Sequence, residues 1–331
     1  MPIDWSILQQ FIQTPQRFIL STHMRPDGDA LGSALGMAYT LRQLGKDSLV
    51  VIPSPLPPRY QGLISPADVI VYDASNEAAI GKADAIIIVD TGTWNQLGKF
   101  SDWMKRQAVP KLVIDHHRTQ DDLGGHRLVD IEAEACGRLI YEASQALGVT
   151  CTTEIATMLF MALATDTGWF HHRNVSAETF SLAATLTAAG ADTNKLYQQI
   201  YDSNSLGRQK LMGHVLQSLD IAQGGLVCHA SIGLADFLKT GSVPLDSEDM
   251  VNLTLTVSGV DIGLLFIEQA TGGTKVSFRS RGLLDCSKLA EHFGGGGHSA
   301  ASGAIIKKPL TDVRVEVLQE LEVLRLVLRA Y

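Results

Sequence analysis

The run RFILST at residues 17–22 leads directly into HMRPDGDALGS at residues 23–33, and this pairing decides the fold. A run rich in Phe, Ile and Leu predicts a short strand that is buried on both faces. Residues 30–44, after the polar loop, have the apolar spacing of a helix. A buried strand, a polar loop and a helix in this order are typical of a βαβ unit.

The same pattern recurs through the first half of the chain. Short apolar runs at residues 48–52, 85–89 and 111–114 predict three more strands, each followed by a polar loop. Alternating strands and helices favour an α/β fold with a doubly wound, mainly parallel sheet. Ligands of such sheets bind beyond the carboxyl ends of the strands, so these loops are the place to look for a site.

The length of 331 residues is that of about two domains. Residues 134–204 are almost wholly helical in pattern and complete a first domain at residues 1–200. Residues 201–223 predict a linker helix, and residues 224–331 a smaller α/β domain. Its expected strands and helices lie at residues 226–232, 260–268, 275–280, 287–293, 301–306 and 312–330.

Composition narrows the class of protein. The chain has 35 acidic and 27 basic residues, for a formal net charge of −8. This balance argues against a broad basic surface and hence against long duplex nucleic acid as a partner. No apolar run approaches the roughly 20 residues of a membrane span, and no secretory signal pattern is visible. Four well-separated cysteines fit free thiols in a reducing compartment, so we expect a cytoplasmic protein.

Carboxylates and imidazoles follow the predicted strands. His23, Asp27 and Asp29 come after the first, and Asp90 comes after the run at 85–89. Asp115, His116 and His117 follow the run at 111–114, and Asp166 ends a helical pattern. Crowded carboxylates repel one another, so a cation should lie between them. Imidazole and carboxylate ligands without thiolates suit manganese, iron, cobalt or zinc. Several such carboxylates suggest two ions, which generate a hydroxide for in-line attack on a phosphate.

The second domain carries a different signal, the run GGGGH at residues 294–298. Glycines let backbone N–H groups approach an anion closely. Gly295, Gly296 and Gly297 are therefore candidate phosphate contacts. His298 and Arg279, which ends the predicted strand at 275–280, can donate hydrogen bonds to phosphate.

Together these motifs resemble those of a known family. HMRPDGDALGS, IIIVDTG, VIDHH and ATDTGWF look like the four motifs of the DHH phosphoesterase superfamily, in order. GGGGHSAASG resembles the glycine-rich signature of the DHH-associated C-terminal domain. The combination is similar to the NrnA-type proteins, which are bifunctional oligoribonucleases and pAp phosphatases.

The resemblance implies a role for each candidate residue. His23, Asp27 and Asp90 would hold one ion, and Asp29, Asp90, His116 and Asp166 the other, with Asp90 shared between them. His117 would face the scissile phosphate, so His117, Asp90 and His116 are the candidate catalytic residues. Gly295, Gly296, Gly297, His298 and Arg279 would bind the nucleotide across a cleft between the domains. The ions implied are two divalent cations, with manganese the usual one in the family.

The function implied is hydrolysis of short oligoribonucleotides, one nucleotide at a time, and of adenosine 3′,5′-bisphosphate (pAp). Hydrolysis of cyclic or linear dinucleotides is the alternative within the same chemistry, and a manganese pyrophosphatase ranks below it. A nucleotide-binding regulator without turnover is the alternative from another class. The sequence leaves three points open: whether RNA or DNA is preferred, which substrate length is preferred, and whether the protein is a homodimer.

Overall fold

The strand predicted at residues 17–22 is β1 (Arg17–Ser21), which lies inside a six-stranded, wholly parallel sheet. The strand order is β3-β2-β1-β4-β5-β6. The other strands are β2 (Asp47–Ile52), β3 (Val69–Val71), β4 (Ala85–Val89), β5 (Lys111–Asp115) and β6 (His126–Val129). In this order the chain reverses direction across the sheet between β1 and β4, which is where doubly wound folds bind ligands. The computed structural model describes residues 3–297 and 299–328 of the chain.

Helices cover both faces of this sheet, which explains the continuous apolar runs. Phe18 and Leu20 of β1 enter a core on one face, and Ile19 enters a separate core on the other. The predicted α/β class and doubly wound sheet are therefore confirmed. The helices of this region are α1 (Ser6–Phe11), α2 (Gly28–Gln43), α3 (Pro58–Gln61), α4 (Glu77–Ile80), α5 (Phe100–Arg106), α6 (Cys136–Ala146), α7 (Thr153–Asp166), α8 (Ala177–Ala188) and α9 (Thr193–Tyr197).

Helices α2 and α7 pack at very close range through glycines. A Cβ atom added at Gly32 would lie 2.3 Å from the carbonyl oxygen of Met158, and one added at Gly28 would lie 2.4 Å from Thr165 Oγ1. A side chain at either position would have to push α7 away, because protein interiors have no spare volume of that size. Asp29 lies in the first turn of α2, and Asp166 is the last residue of α7. The glycine contact therefore sets the spacing between these two acidic residues.

The chain divides into two compact units between Ser203 and Asn204. The second unit has a mixed sheet in the order β11-β12-β10-β9-β8-β7, in which β8 and β9 are parallel and the other pairs antiparallel. Its strands are β7 (Asp220–Ala222), β8 (Val227–Ile232), β9 (Ile262–Glu268), β10 (Thr274–Ser280), β11 (Gly296–Gly297) and β12 (Ala301–Ile306). Its helices are α10 (Leu206–Gln217), α11 (Leu234–Thr240), α12 (Cys286–His292) and α13 (Leu310–Leu328).

The segment predicted as a linker contains α10, which packs on α11 and β8 within the second unit. The domain limits 1–200, 201–223 and 224–331, and the linker role itself, stay predictions. Among residues 3–297 and 299–328, no helix combines the length and apolar character that crossing a membrane requires.

Candidate metal centre

The centre is built around Asp90, the residue directly after β4. Its backbone has φ +56°, a left-handed conformation that is uncommon outside glycine. The Asp90 N–H donates to the Ile114 carbonyl on β5 at 3.1 Å, which holds this turn at the edge of the sheet. Backbone of this kind costs energy and is concentrated at functional sites. Asp90 therefore stands at the carboxyl edge of the sheet, beside the end of β1.

One group of ligand atoms, which we call the outer cluster, consists of His23, Asp27 and Asp90. His23 Nε2 lies 3.5 Å from Asp90 Oδ2 and 3.9 Å from Asp27 Oδ1. Asp27 is also the N-cap of α2, where its Oδ1 accepts a hydrogen bond from the Ala30 N–H at 3.0 Å. The loop after β1 and the start of α2 together supply two of the three ligands.

A second group, the inner cluster, consists of Asp29, His116 and Asp166. His116 Nε2 lies 3.8 Å from Asp29 Oδ2 and 3.9 Å from Asp166 Oδ2. The same nitrogen lies 3.3 Å from Asp90 Oδ1. The two oxygens of Asp90 thus point to different clusters, Oδ2 towards His23 and Oδ1 towards His116. All six residues that the sequence suggested as ligands come together at one edge of the sheet.

Asp29 is held in place by the start of α6 and by its own helix. Its carboxylate accepts hydrogen bonds from the backbone N–H groups of Cys136 at 2.7 Å and Gly137 at 2.9 Å. The Ser33 hydroxyl, one turn further along α2, donates to Asp29 Oδ1 at 2.9 Å. An N-terminal helix turn favours a nearby negative charge, so α6 both orients and stabilises this carboxylate.

Backbone carbonyls fix which nitrogen each cluster histidine presents. His23 Nδ1 lies 2.9 Å from the Met24 carbonyl, and His116 Nδ1 lies 3.0 Å from the Ala133 carbonyl. A carbonyl oxygen can only accept, so Nδ1 carries a proton in both rings and Nε2 is the nitrogen that faces the carboxylates and would bind a metal once its own proton is displaced. This is the arrangement by which proteins orient metal-binding histidines.

The charges in the two clusters are strongly coupled to protons. Burial and the neighbouring Asp90 and Asp166 charges raise the pKa of Asp29 well above its ordinary value. Burial also raises the pKa of Asp166 to about 7. Burial disfavours charged imidazole rings, yet Asp90 outweighs it and raises the pKa of His23 to about 10 and of His116 to about 11. Metal-free protein therefore balances its acidic groups with bound protons, which a divalent cation would displace.

A buried oxygen of Asp90 gives a further reason to expect divalent cations at these ligands. Asp90 Oδ1 is buried, and among the described residues no donor reaches it in hydrogen-bond geometry, although His116 Nε2 lies 3.3 Å away. A buried carboxylate oxygen without a donor is costly unless something else binds it. Carboxylates and two histidine nitrogens around that oxygen are the ligand types of manganese, iron, cobalt or zinc sites.

His117 lies beside the two clusters but is held differently. Its Nδ1 is 2.7 Å from Asp115 Oδ1 and 3.8 Å from Asp90 Oδ1. His117 and His116 rings meet edge to face, with centroids 4.9 Å apart. The atoms of Asp90, His116 and His117 also lie close enough to share an ion, so the predicted role of His117 towards a phosphate stays a prediction.

The predicted nucleotide contacts lie on neighbouring strands of the second unit. Arg279 on β10 pairs with Ala301 on β12, and the next β12 residue, Ser302, pairs with Gly297 on β11. Arg279 Nε donates to Asn252 Oδ1 at 3.1 Å, and burial lowers the pKa of this guanidinium. His298 lies outside the described residues.

The glycine run has a packing reason in addition to the predicted one. A Cβ atom on Gly295 would lie 2.1 Å from the Gly303 carbonyl oxygen, and one on Gly297 would lie 2.6 Å from the Ser302 Cα. Open space surrounds Gly296. Two of the three glycines are thus required by the close approach of β12, and anion binding by all three stays a prediction.

Sequence reasoning missed the groups that support the ligands. Ser33 follows Asp29 by four residues, a spacing that places both on one helix face, so a signal was present. The Cys136 and Gly137 N–H groups come from more than 100 residues away and left no local signal. The sequence pattern assigns no role to Asp115 beside the two histidines, and it gives no signal for Gln120, which donates a hydrogen bond to Asp115.

Comparison with known proteins places these features in a family. Residues 17–190 match the DHH family, N-terminal domain, and residues 233–324 match the DHHA1 domain. The chain is 30% identical over 292 residues to the bifunctional oligoribonuclease and PAP phosphatase NrnA of Thermus thermophilus, covering 87% of this chain and 83% of that protein. It is 28% identical over 309 residues to the Bacillus subtilis protein of the same name, covering 92% and 94%.

A solved structure has the same architecture over almost its full length. An exopolyphosphatase-related protein from Bacteroides fragilis superposes with a TM-score of 0.91 at 26% identity, covering 97% of this chain and 96% of the other. The family match spans more than half of the chain, and the sequence relatives extend over most of it. The chain belongs to the DHH family, with a DHHA1 domain after its N-terminal domain.

Proposed function

We propose that this protein is a metal-dependent phosphohydrolase that degrades short oligoribonucleotides from one end and dephosphorylates pAp. The observation that carries the proposal is the pair of ligand clusters joined by the two oxygens of Asp90. The substrates come from the Thermus thermophilus and Bacillus subtilis relatives, whose names give both activities. A nuclease that releases nucleotides and a pAp phosphatase share one reaction, the attack of water on a phosphate ester.

The described residues would divide the work as follows. His23, Asp27 and Asp90 would hold one divalent ion, and Asp29, His116 and Asp166, with Asp90, the other. Bound ions of this kind polarise a phosphate and lower the pKa of water.

The remaining groups would act on the substrate. His117, held by Asp115, would neutralise charge that develops on the phosphate oxygens. Arg279 would bind a phosphate of the nucleotide, and we propose the same for the backbone of Gly295, Gly296 and Gly297 and for His298. A short substrate makes few phosphate contacts, which agrees with the acidic net charge of −8.

Finer points belong to the proposal as well. We propose manganese as the ion, because imidazole and carboxylate ligands without thiolates suit it. Cys136, Cys151, Cys228 and Cys286 are free thiols, which fits a reducing compartment and supports a cytoplasmic location. Whether the protein works as a homodimer is a question for sedimentation analysis.

A single assay tests the proposal. Purified protein with Mn²⁺ is incubated with pAp, the dinucleotide pApA, a 24-nucleotide RNA, cyclic di-AMP and pyrophosphate, each with and without EDTA. We expect EDTA-sensitive turnover of pAp and pApA, and slow or no turnover of the long RNA. Preferred turnover of cyclic di-AMP would favour the dinucleotide phosphodiesterase, and turnover of pyrophosphate alone would refute the proposal.

The Asp90→Asn variant provides the matched control for that assay. Asparagine tolerates the left-handed backbone at this position, so the variant should fold normally. It removes the charge that both clusters share, and we expect kcat/KM to fall by about 10³-fold or more, which is several kcal/mol of transition-state stabilisation. Binding of pAp without turnover by the wild-type protein would instead support the nucleotide-binding regulator.

A further inference from the structure

Asp115 uses both of its carboxylate oxygens to join two side chains. It is fully buried at the end of β5, and its Oδ1 lies 2.7 Å from His117 Nδ1. Its Oδ2 accepts a hydrogen bond from Gln120 Nε2 at 2.5 Å. The same amide nitrogen donates to the His117 carbonyl at 3.0 Å. Gln120 thus touches both the carboxylate and the backbone of the histidine beside the two clusters.

The Gln120 amide lies against the loop after β4. A Cβ atom on Gly92 would lie 2.1 Å from Gln120 Oε1 and 2.4 Å from its Nε2. The Asp121 N–H also donates to the Gly92 carbonyl at 2.7 Å. The amide thus occupies the space where a side chain at residue 92 would begin, and the Asp121–Gly92 hydrogen bond ties the loop after β5 to the loop that carries Asp90.

The orientation of that amide has an energetic cost. Gln120 Oε1 is buried and has no hydrogen-bond donor among the described residues. Burying an acceptor without a donor destabilises the fold. The reverse orientation would place Oε1 against the Asp115 carboxylate, which is repulsive and leaves Asp115 without its donor. The observed orientation leaves the Gln120 oxygen without a donor but keeps the hydrogen bond from its N–H to Asp115. This indicates that the hydrogen bond to Asp115 matters.

His117 also differs from the two cluster histidines in its partner. His23 and His116 each have Nδ1 against a neutral backbone carbonyl, whereas His117 has Nδ1 against a carboxylate. A carboxylate holds the ring plane and the Nδ1 proton more firmly than a carbonyl does, because its hydrogen bond is charge-assisted. Rotation of the Asp115 carboxylate would weaken this hydrogen bond, and the Gln120 N–H on Oδ2 opposes such a rotation.

We infer that Gln120 is a positioning residue: through Asp115 it fixes the ring of His117, with Nδ1–H on the Asp115 carboxylate and Nε2 directed towards the phosphate of the substrate. This inference rests on the proposed function, in which His117 faces that phosphate. It concerns the orientation of a ring and includes no covalent step. Outer partners of this kind change activity by about 10–100-fold in other metal sites when they are removed.

Two substitutions separate the N–H donor from simple packing. Gln120→Met keeps the length of the side chain and removes the amide. Gln120→Glu keeps its shape and replaces the donor with a second carboxylate. Gln223→Met is the matched control, because Gln223 Nε2 also donates to a carbonyl, that of Leu318 at 2.9 Å, and its Oε1 is also buried without a donor among the described residues.

With pAp and saturating Mn²⁺, we expect both Gln120 variants to lose about 10–100-fold in kcat, with KM and the Mn²⁺ affinity within about two-fold of wild type. Gln223→Met should retain its kcat. Unchanged kcat in both Gln120 variants, or an equal loss in Gln223→Met, would overturn the inference. A loss in Gln120→Met that Gln120→Glu fully restores would also overturn it, because packing would then be the cause.

A second measurement needs no turnover and no metal. Nitrogen-15 NMR of the metal-free protein, with the His117 signals assigned by their loss in His117→Asn, reports which ring nitrogen carries the proton. At a pH at which the His117 ring is neutral, we expect Nδ1–H in the wild type and a mixture of tautomers in Gln120→Met. Identical spectra refute the positioning role even if the wild type proves inactive on pAp, so this result is independent of the proposed function.

Discussion

In the inner cluster Asp29 is 1% exposed and accepts three hydrogen bonds from Ser33, Cys136 and Gly137. In the outer cluster the Asp27 side chain is 52% exposed, and its one hydrogen bond within the described residues comes from the Ala30 N–H. Both clusters use the same ligand types and share Asp90. They differ in how much of the ligand geometry exists before a metal arrives.

This difference should appear as two affinities. A carboxylate that the protein already orients loses little entropy when it binds an ion, whereas an exposed one must be ordered at that moment. We therefore expect the inner ion to bind more tightly and exchange more slowly, and the outer ion to come and go with the medium. The α6 N-terminus adds to this, since it favours the ionised form of Asp29 that a metal requires.

The largest effect is expected when each cluster loses its own carboxylate. Asp29→Asn should weaken the tighter of two Mn²⁺ sites by about 100-fold or more, because it removes a ligand rather than a supporting group. Asp27→Asn should leave the Mn²⁺ affinity of the tight site within about three-fold of wild type and weaken that of the other site. Asparagine is also a good N-cap residue, so α2 should keep its helix cap. Isothermal titration of the chelator-treated protein distinguishes these results. Equal loss of both sites in both variants would contradict the comparison.

The stability of the metal-free protein should depend on pH, and the sign of this dependence follows from the raised pKa values. A group whose pKa is higher in the folded chain stabilises the fold below its unfolded pKa, and this contribution disappears as the pH rises to its folded value. The stabilising contribution of Asp166 disappears between about pH 4 and about pH 7. The contribution of His23 disappears between about pH 6.5 and about pH 10, and that of His116 between about pH 6.5 and about pH 11.

The melting temperature in EDTA should therefore fall from pH 5 to pH 9. The acid half of this range reports on the inner cluster through Asp166, and the alkaline half reports on both clusters. With Mn²⁺ present the trend should flatten or reverse between pH 5.5 and pH 8, because metal binding releases the same protons. A melting temperature in EDTA that rises with pH over this interval would show that the clusters are not proton-loaded.

A smaller effect is expected from the glycine contact that sets the inner cluster. Gly32→Ala should lower the free energy of unfolding by about 1–3 kcal/mol, because its Cβ would lie 2.3 Å from the Met158 carbonyl oxygen. Gly213→Ala on α10 has open space around the new Cβ and should stabilise by about 0.4–1 kcal/mol. Urea unfolding measures both. Metal titration of Gly32→Ala should show the inner affinity reduced more than the outer.

The strands that position the site were predictable because they are buried on both faces. Residues 85–89 are strand β4 in full, and the prediction at 17–22 differs from β1 by one residue. The short edge strands β3 (Val69–Val71) and β6 (His126–Val129) were missed. They are partly exposed, so their composition does not stand out from that of loops. Interior strands carry a composition signal, and edge strands of three or four residues do not.

The candidate ligands were predictable for a topological reason, and their supports were not. Residues after parallel strands meet at one edge whatever lies between them, so Asp90 and His116 could be paired from their positions alone. The contact of Gln120 with Asp115 and the space that Gly92 leaves for it depend on how two loops fold against each other. That information lies in packing between distant segments, which no local pattern records.

The smallest effect separates the supports of the two clusters. Ser33→Ala removes one of three donors to Asp29, and we expect the inner Mn²⁺ affinity to fall by about 10-fold. Ser54→Ala is its matched control on the outer side, because the Ser54 hydroxyl accepts the Arg25 N–H at 2.6 Å in the loop between His23 and Asp27. Arg25 has φ +53°, so losing this contact should loosen the outer loop alone.

Titration of the two serine variants side by side gives the sharpest form of the comparison. Ser33→Ala should lower the Mn²⁺ affinity of the tight site and leave that of the weak site within about two-fold. Ser54→Ala should lower the affinity of the weak site and leave that of the tight site within about two-fold. If Ser54→Ala instead lowered the tight affinity as much as Ser33→Ala, the clusters would behave as one cooperative unit through Asp90. The hydrogen bonds to Asp29 would then not be what distinguishes them, and shared charge would outweigh local preorganisation.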